Sequence, residues 1–352
     1  MSIAAAMIKY ANLPPALPPL LAVVVDTEEE FDWGRPLDRS EVGVTSIPCQ
    51  ERMQEIFSRY GIIPTYVMDY PAATTPLSRD YLRRLHKDGL CEIGAHLHPW
   101  VNPPYEEEVC NRNSFPGNLP PDLERRKLAA LTQAIQENFG IRPRIYKAGR
   151  YGIGPSTMEI LEELGFEIDL SVAPHTSFRA SEGPDFRSHA DRPWLAGASQ
   201  RILEIPLSIG FAGPLAPVGP TMFRLIDQPL GRRLHLPGLL ARTRLLERIC
   251  LTPEHVDLSA QMRLTRSLLK QGKRVFSFCY HSPSLAVGHT PYVRSEEQLR
   301  DFLSTCDAYF RFFSEEIGGQ FISMSKLQRA LAPAARSSHP GLEPPPYLDI
   351  RT

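Results

Sequence analysis

The sequence has no long apolar run, no block of basic residues and no closely spaced pair of cysteines, and each absence removes a class of function. No apolar stretch approaches the roughly 20 residues that a membrane-spanning helix needs. Basic and acidic residues nearly cancel, 39 against 40, for a net charge of −1; a nucleic-acid partner is therefore not expected. The six cysteines (Cys49, Cys91, Cys110, Cys250, Cys279 and Cys306) contain no C-x-x-C pair. They read as reduced residues, Cys91 and Cys279 within buried strands, in a reducing compartment. The opening segment 1–19 has no basic region followed by a continuous apolar stretch, which makes a poor signal peptide. The expectation is a cytoplasmic protein with no transmembrane segment. No signature fixes its oligomeric state.

What is present suffices for one large core. The chain has 352 residues, 42% of them hydrophobic, a size normal for a single α/β barrel with insertions. Its organising stretch is 20–33, LLAVVVDTEEEFDW. The first half is short, apolar and rich in β-branched residues, the pattern of a strand buried on both faces of a parallel sheet. It ends in Asp26, Glu28, Glu29, Glu30 and Asp32, at the strand end where α/β proteins bind ligands. Crowded carboxylates repel one another and make most sense around a cation or a proton. Asp26 and Glu29 also fit a helix capping box, but Gly34 and Pro36 would stop such a helix within two turns.

Further strands are expected over 62–68, 90–95, 142–147, 166–170 and 274–280, with weaker ones at 201–205 and 207–211. Helices are expected over 47–60, 77–87, 122–139 (capped by Asp122), 155–164, 239–251, 258–270 and 296–316. Gly61, Gly140 and Gly165 supply stops for three of them. Alternating strands and helices argue for βα units around a parallel sheet. Helix 239–251 reads as basic and amphipathic; its charged face is taken as solvated, with an anionic substrate or a membrane surface as the other reading. The expected organisation is a lead-in over 1–19, a barrel domain over 20–330 with an insertion at about 210–256, and a Pro-rich disordered tail over 331–352.

Polar clusters follow the strands. His96 and His98 lie two apart at a strand end, so both rings point to one side and, with a carboxylate, make a natural partial shell for zinc or a similar ion, the other reading being that one of them is a loop histidine bonded to a carbonyl. Arg150 follows the next strand and Asp169 ends the one after. An arginine there can orient a catalytic acid and lower its pKa, or form a purely structural pair with Asp169. His281 ends another buried strand and suits general acid work.

The order of acid cluster, Glu92-Ile93-Gly94-Ala95-His96, Arg150-Tyr151-Gly152, Asp169-Leu170-Ser171 and Tyr280-His281 resembles the polysaccharide deacetylases with a NodB-homology domain (carbohydrate esterase family four). The WalW-type proteins of surface-polysaccharide synthesis look like the closest subgroup. The resemblance implies a distorted (β/α) barrel of about seven strands. It also implies a metal-dependent hydrolase that removes N- or O-acetyl groups from sugars, with a carbohydrate as partner and a divalent metal, taken as zinc, as cofactor. Carried over, Asp26 resembles the catalytic base, Glu28 (or Glu29) the carboxylate ligand and His96 the first histidine ligand. The family's second histidine sits four residues after the first, where this chain has Trp100, so His98 must substitute. Arg150 or Lys147 takes the family's arginine role, beside Asp169. Tyr151 would offer its backbone N–H to an oxyanion, Trp33 would contact sugar, Trp100 would pack against sugar or wall the site, and His281 would be the acid. Two other readings stay open: another barrel hydrolase, acting on a cyclic amide or a glycosidic bond, and a non-catalytic carbohydrate-binding protein.

Overall fold

The computed structural model describes residues 9–11 and 17–331. The expected tail thus lies outside the described residues except Leu331, and the lead-in is described only in part. Twelve strands follow in chain order: β1 (Lys9–Tyr10), β2 (Leu20–Thr27), β3 (Thr65–Met68), β4 (Glu92–Leu97), β5 (Ile145–Ala148), β6 (Ile168–Asp169), β7 (Trp194–Ala196), β8 (Ile202–Glu204), β9 (Ile209–Ala212), β10 (Glu247–Cys250), β11 (Val275–His281) and β12 (Gln320–Phe321). The helices are α1 (Glu51–Tyr60), α2 (Tyr70–Thr74), α3 (Pro76–Lys87), α4 (Pro121–Phe139), α5 (Thr157–Leu164), α6 (Gly219–Ile226), α7 (Pro229–Arg233), α8 (Leu236–Arg242), α9 (Leu258–Lys270), α10 (Glu296–Arg311) and α11 (Met324–Leu331).

Seven strands, in spatial order β11, β2, β3, β4, β5, β6 and β8, run parallel. β7 and β1 extend the β8 edge antiparallel, and the short β12 pairs with the start of β2. The curled sheet is a distorted, half-closed (β/α) barrel, as the sequence implies. All eight residues of β2 are buried, and alternation sends them to two cores. Leu21, Val23 and Val25 join Phe57, Leu131 and Leu264 in the helix-covered core. Leu20, Ala22 and Val24 join Ile145, Ile168 and Cys279 on the inner face. Among the described residues no helix is long and apolar enough to cross a membrane, and all six cysteines are free.

Several expectations are corrected. Pro48 turns the start of helix 47–60 into a 3₁₀ segment over Ile47–Gln50 before α1. Asp122 does not cap α4; Pro120 holds that place, with Pro121 in the first helical position. The expected helix 239–251 does not exist as such. α8 stops at Arg242, and Glu247–Cys250 instead pairs antiparallel with β9. Tertiary pairing wins there over helical spacing, because Ile249 is buried against the core. Arg248, assigned to a solvated face, is partly buried and stacks 5.9 Å from the Phe223 ring. The last long helix reaches Glu316 as expected, but its final five residues, Phe312–Glu316, form a π-turn rather than α-helix.

Candidate active site

In a parallel sheet, residues in register share a face, so register decides which side chains meet. His281 stands beside Asp26, and His96 beside Lys147. Glu28 lies two residues after Asp26, on the same side of the chain. All five come together where the strands end and line one cleft of about 550 Å³.

Glu28, His96 and His98 each offer one ligand atom to a common point. Both imidazole Nε2 atoms lie 3.5 Å from Glu28 Oε2. The opposite ring nitrogens are held from behind: His96 Nδ1 donates to the Lys147 carbonyl at 2.9 Å, and His98 Nδ1 lies 2.8 Å from Glu29 Oε2. A carbonyl can only accept, so Nδ1 of His96 carries a proton and Nε2 is the nitrogen turned to the common point, the usual support behind a metal-ligating histidine. Burial, helped by neighbouring His96, pushes the His98 pKa down to about 4 and keeps its ring neutral. Glu29 faces away from the common point and belongs behind His98; burial and the charge of Glu28 raise its carboxyl to about 8. The Glu29 backbone N–H donates to Asp69 Oδ2 at 2.7 Å. Gly149 makes this packing possible, because a Cβ there would lie 2.5 Å from His98 Cδ2 and 2.4 Å from the Leu97 carbonyl oxygen.

Asp26 is gripped by Lys147, whose Nζ lies 2.7 and 2.6 Å from its two oxygens and 3.0 Å from Cys279 Sγ. Burial alone would raise the Asp26 pKa, but Lys147, His96 and His281 overcome it and hold it at about 2. Losing one member of such a buried pair costs about 3–5 kcal/mol. His281 Nε2 lies 3.6 Å from Asp26 Oδ2, while its Nδ1 and backbone N–H are bound by Glu254 at 2.7 and 3.0 Å. Burial would lower the His281 pKa, but the carboxylates of Glu254, Glu28 and Asp26 outweigh it and raise it to about 10. No motif or periodicity in the sequence marks Glu254.

Other expected site residues divide. Arg150 and Tyr151 line the cleft, both with positive φ (54° and 60°), but Arg150 does not reach Asp26. Its Nη1 donates to Asn111 Oδ1 and to Ser114 Oγ, and its guanidinium stacks 4.3 Å from the Phe115 ring. Lys147 therefore takes the place beside Asp26. Tyr151 stacks on Phe178. Trp33 lines the cleft and meets His281 edge-on at 5.1 Å. Trp100 is buried and stacks on the His98 ring at 4.3 Å; it is not among the cleft-lining residues, so it backs a histidine rather than meeting a ligand. Asp169 is also corrected. It is in register with Tyr146, the neighbour of Lys147 on the opposite face, and points out of the cleft to Ser171 and Glu204.

No family model and no curated protein matches the chain. Solved structures share its fold. A protein described as a polysaccharide deacetylase from Mycobacterium smegmatis is 16% identical, with a TM-score of 0.52 over 92% of this chain and 93% of its own. PuuE allantoinase is 16% identical, with a TM-score of 0.50 over 91% and 93%. The 4-α-glucanotransferase of Thermococcus litoralis is 13% identical, with a TM-score of 0.51 over 90% of this chain and 41% of the enzyme. At such identities the likeness is one of fold, carried by proteins with three different names.

Proposed function

We propose that the protein is a metal-dependent hydrolase that removes acetyl groups from an N- or O-acetylated sugar. The observation that carries this reading is the convergence of Glu28, His96 and His98 on one point beside Asp26 and His281. The residues fit a divalent ion, with zinc the natural choice for two imidazoles and a carboxylate. Glu28 Oε1 is buried without a hydrogen-bond partner, and both histidines are backed so that Nε2 faces inward. Three protein ligands leave a position open, as in catalytic rather than structural sites. Bound there, the ion would polarise the acetyl carbonyl and bring the pKa of water towards about 7.

The remaining work falls to the chain. Asp26, ionised throughout the neutral range, accepts the proton of the attacking water, with Lys147 as its counter-ion. His281, protonated and oriented by Glu254, donates from Nε2 to the leaving nitrogen or oxygen. Phe31, Trp33, Tyr151, Phe178 and Tyr292 line the cleft and are not fully buried, so they can meet the apolar face of a sugar. The motifs' resemblance to WalW-type proteins points the substrate towards surface-polysaccharide biosynthesis, and the free cysteines support the cytoplasm. Glycosidic cleavage is disfavoured, since it needs two carboxylates about 5–9.5 Å apart across the sugar. Here Asp26 is bound by Lys147 and Glu28 faces two histidines.

The test of the ion site is metal titration of His98→Ala beside Trp100→Phe. Removing a supporting partner already costs about 10–100-fold in affinity, so His98→Ala should lose more than that, while Trp100→Phe, which keeps a ring behind His98, retains most of it. Parent-like binding by His98→Ala would remove His98 from the shell and favour a non-catalytic protein.

A further inference from the structure

The stretch between β9 and β10 folds into α6, α7 and α8. They pack towards the core through Met222, Phe223, Ile226 and Leu240 against Phe211 and Leu246. What they leave outside is unusual. Val218, Leu225, Leu230, Leu234, Leu239 and Leu245 are 43–70% exposed, half of the twelve large hydrophobics exposed among the described residues. Apolar side chains scattered singly over a surface need no explanation, but six within 218–245 mark an interaction face.

Arginines alternate with them. Arg224, Arg232, Arg233, Arg242 and Arg244 are all exposed. The single acid of the stretch, Asp227, is bound to Arg232 at 2.8 Å; among the described residues no carboxylate pairs with the other four. Leucines beside arginines on short helices are the composition of segments that lie in a membrane interface. Helices of eight, five and seven residues can lie on a bilayer but not span it. A second copy of the chain is a poor occupant, since a two-fold contact would press one set of uncompensated arginines against another.

We propose that the outer face of α6–α8 is a docking site for the anionic surface of a lipid bilayer, its arginines on the headgroups and its leucines in the acyl boundary. The same helices share a surface hollow with 177–187, where Asp227 and Arg232 lie opposite Ser177, Arg179 and Arg187; Phe178 of that segment also lines the cleft. Docking therefore holds the cleft's own loop close to the membrane.

Vesicle co-sedimentation of the full chain tests this without reference to catalysis. The chain should bind phosphatidylcholine vesicles containing phosphatidylglycerol far better than phosphatidylcholine alone, and salt should weaken the binding. Each basic residue near such a surface strengthens binding by about fivefold, so Arg233→Glu with Arg242→Glu should lose more than about tenfold. Leu225→Asp with Leu230→Asp and Leu234→Asp should abolish it; these positions are exposed, and an unchanged circular dichroism spectrum would show that the fold survives. Equal binding to neutral vesicles, no binding, or full binding by either folded variant would overturn the proposal. So would a dimer in sedimentation velocity that the leucine variant dissolves.

Discussion

Glu254 sets the character of His281. It binds both the ring and the backbone of that histidine and leads the carboxylates that raise its pKa to about 10. An ordinary histidine titrates near 6.5, so the raised value has a defined sign. The charged form stabilises the fold fully below about pH 6.5, and that contribution fades as pH rises through about 10. A general acid must hold its proton, so hydrolysis should persist on the alkaline side. In Glu254→Gln the alkaline limb of kcat/KM should move more than one unit towards neutrality, read from a pH–rate profile. A limb that does not move would take His281 out of the acid role.

Residue types at strand ends were legible; their partners were not. Asp26, Glu28, His96, His98 and His281 follow apolar runs and meet as that pattern implies. Glu254 sits in an irregular turn before α9, 27 residues from its partner, where no periodicity marks it. The choice between Lys147 and Arg150 turned on a single position. Lys147 is the last inward-facing residue of β5, whereas Arg150 lies beyond the strand in a left-handed turn. Nothing in the residue types distinguishes these until the strand's end is known.

At the level of elements, β2 declared itself because its first six residues, Leu20–Val25, are apolar without alternation and so leave no polar face. Asp169 misled because its strand β6 is only two residues long, too short to show which face its carboxyl takes; pairing with Tyr146 sends it outward. The 239–251 segment misled because its leucine spacing suits a helix, while its second half completes a hairpin with β9. The turn after β5 depends on Gly149, whose missing Cβ leaves room for the His98 ring. Gly149→Ala should push that ring off its line and weaken metal binding by about 10–100-fold, the scale of lost support behind a ligand. Calorimetric titration would show it, and unchanged affinity would mean that the β5 turn does not position His98.

For the molecule as a whole, the barrel brings acids from β2, imidazoles from β4 and β11 and an ammonium from β5 to one cleft, and fold alone does not fix which bond is broken there. The deciding measurement is product analysis with the purified protein on N- and O-acetylated sugars, allantoin and an α-glucan, before and after chelation and with zinc restored. Acetate should appear from an acetylated sugar, vanish on chelation, return with zinc and be absent in Asp26→Asn. Opened allantoin or transferred glucan without acetate from any acetylated sugar would contradict the deacetylase reading.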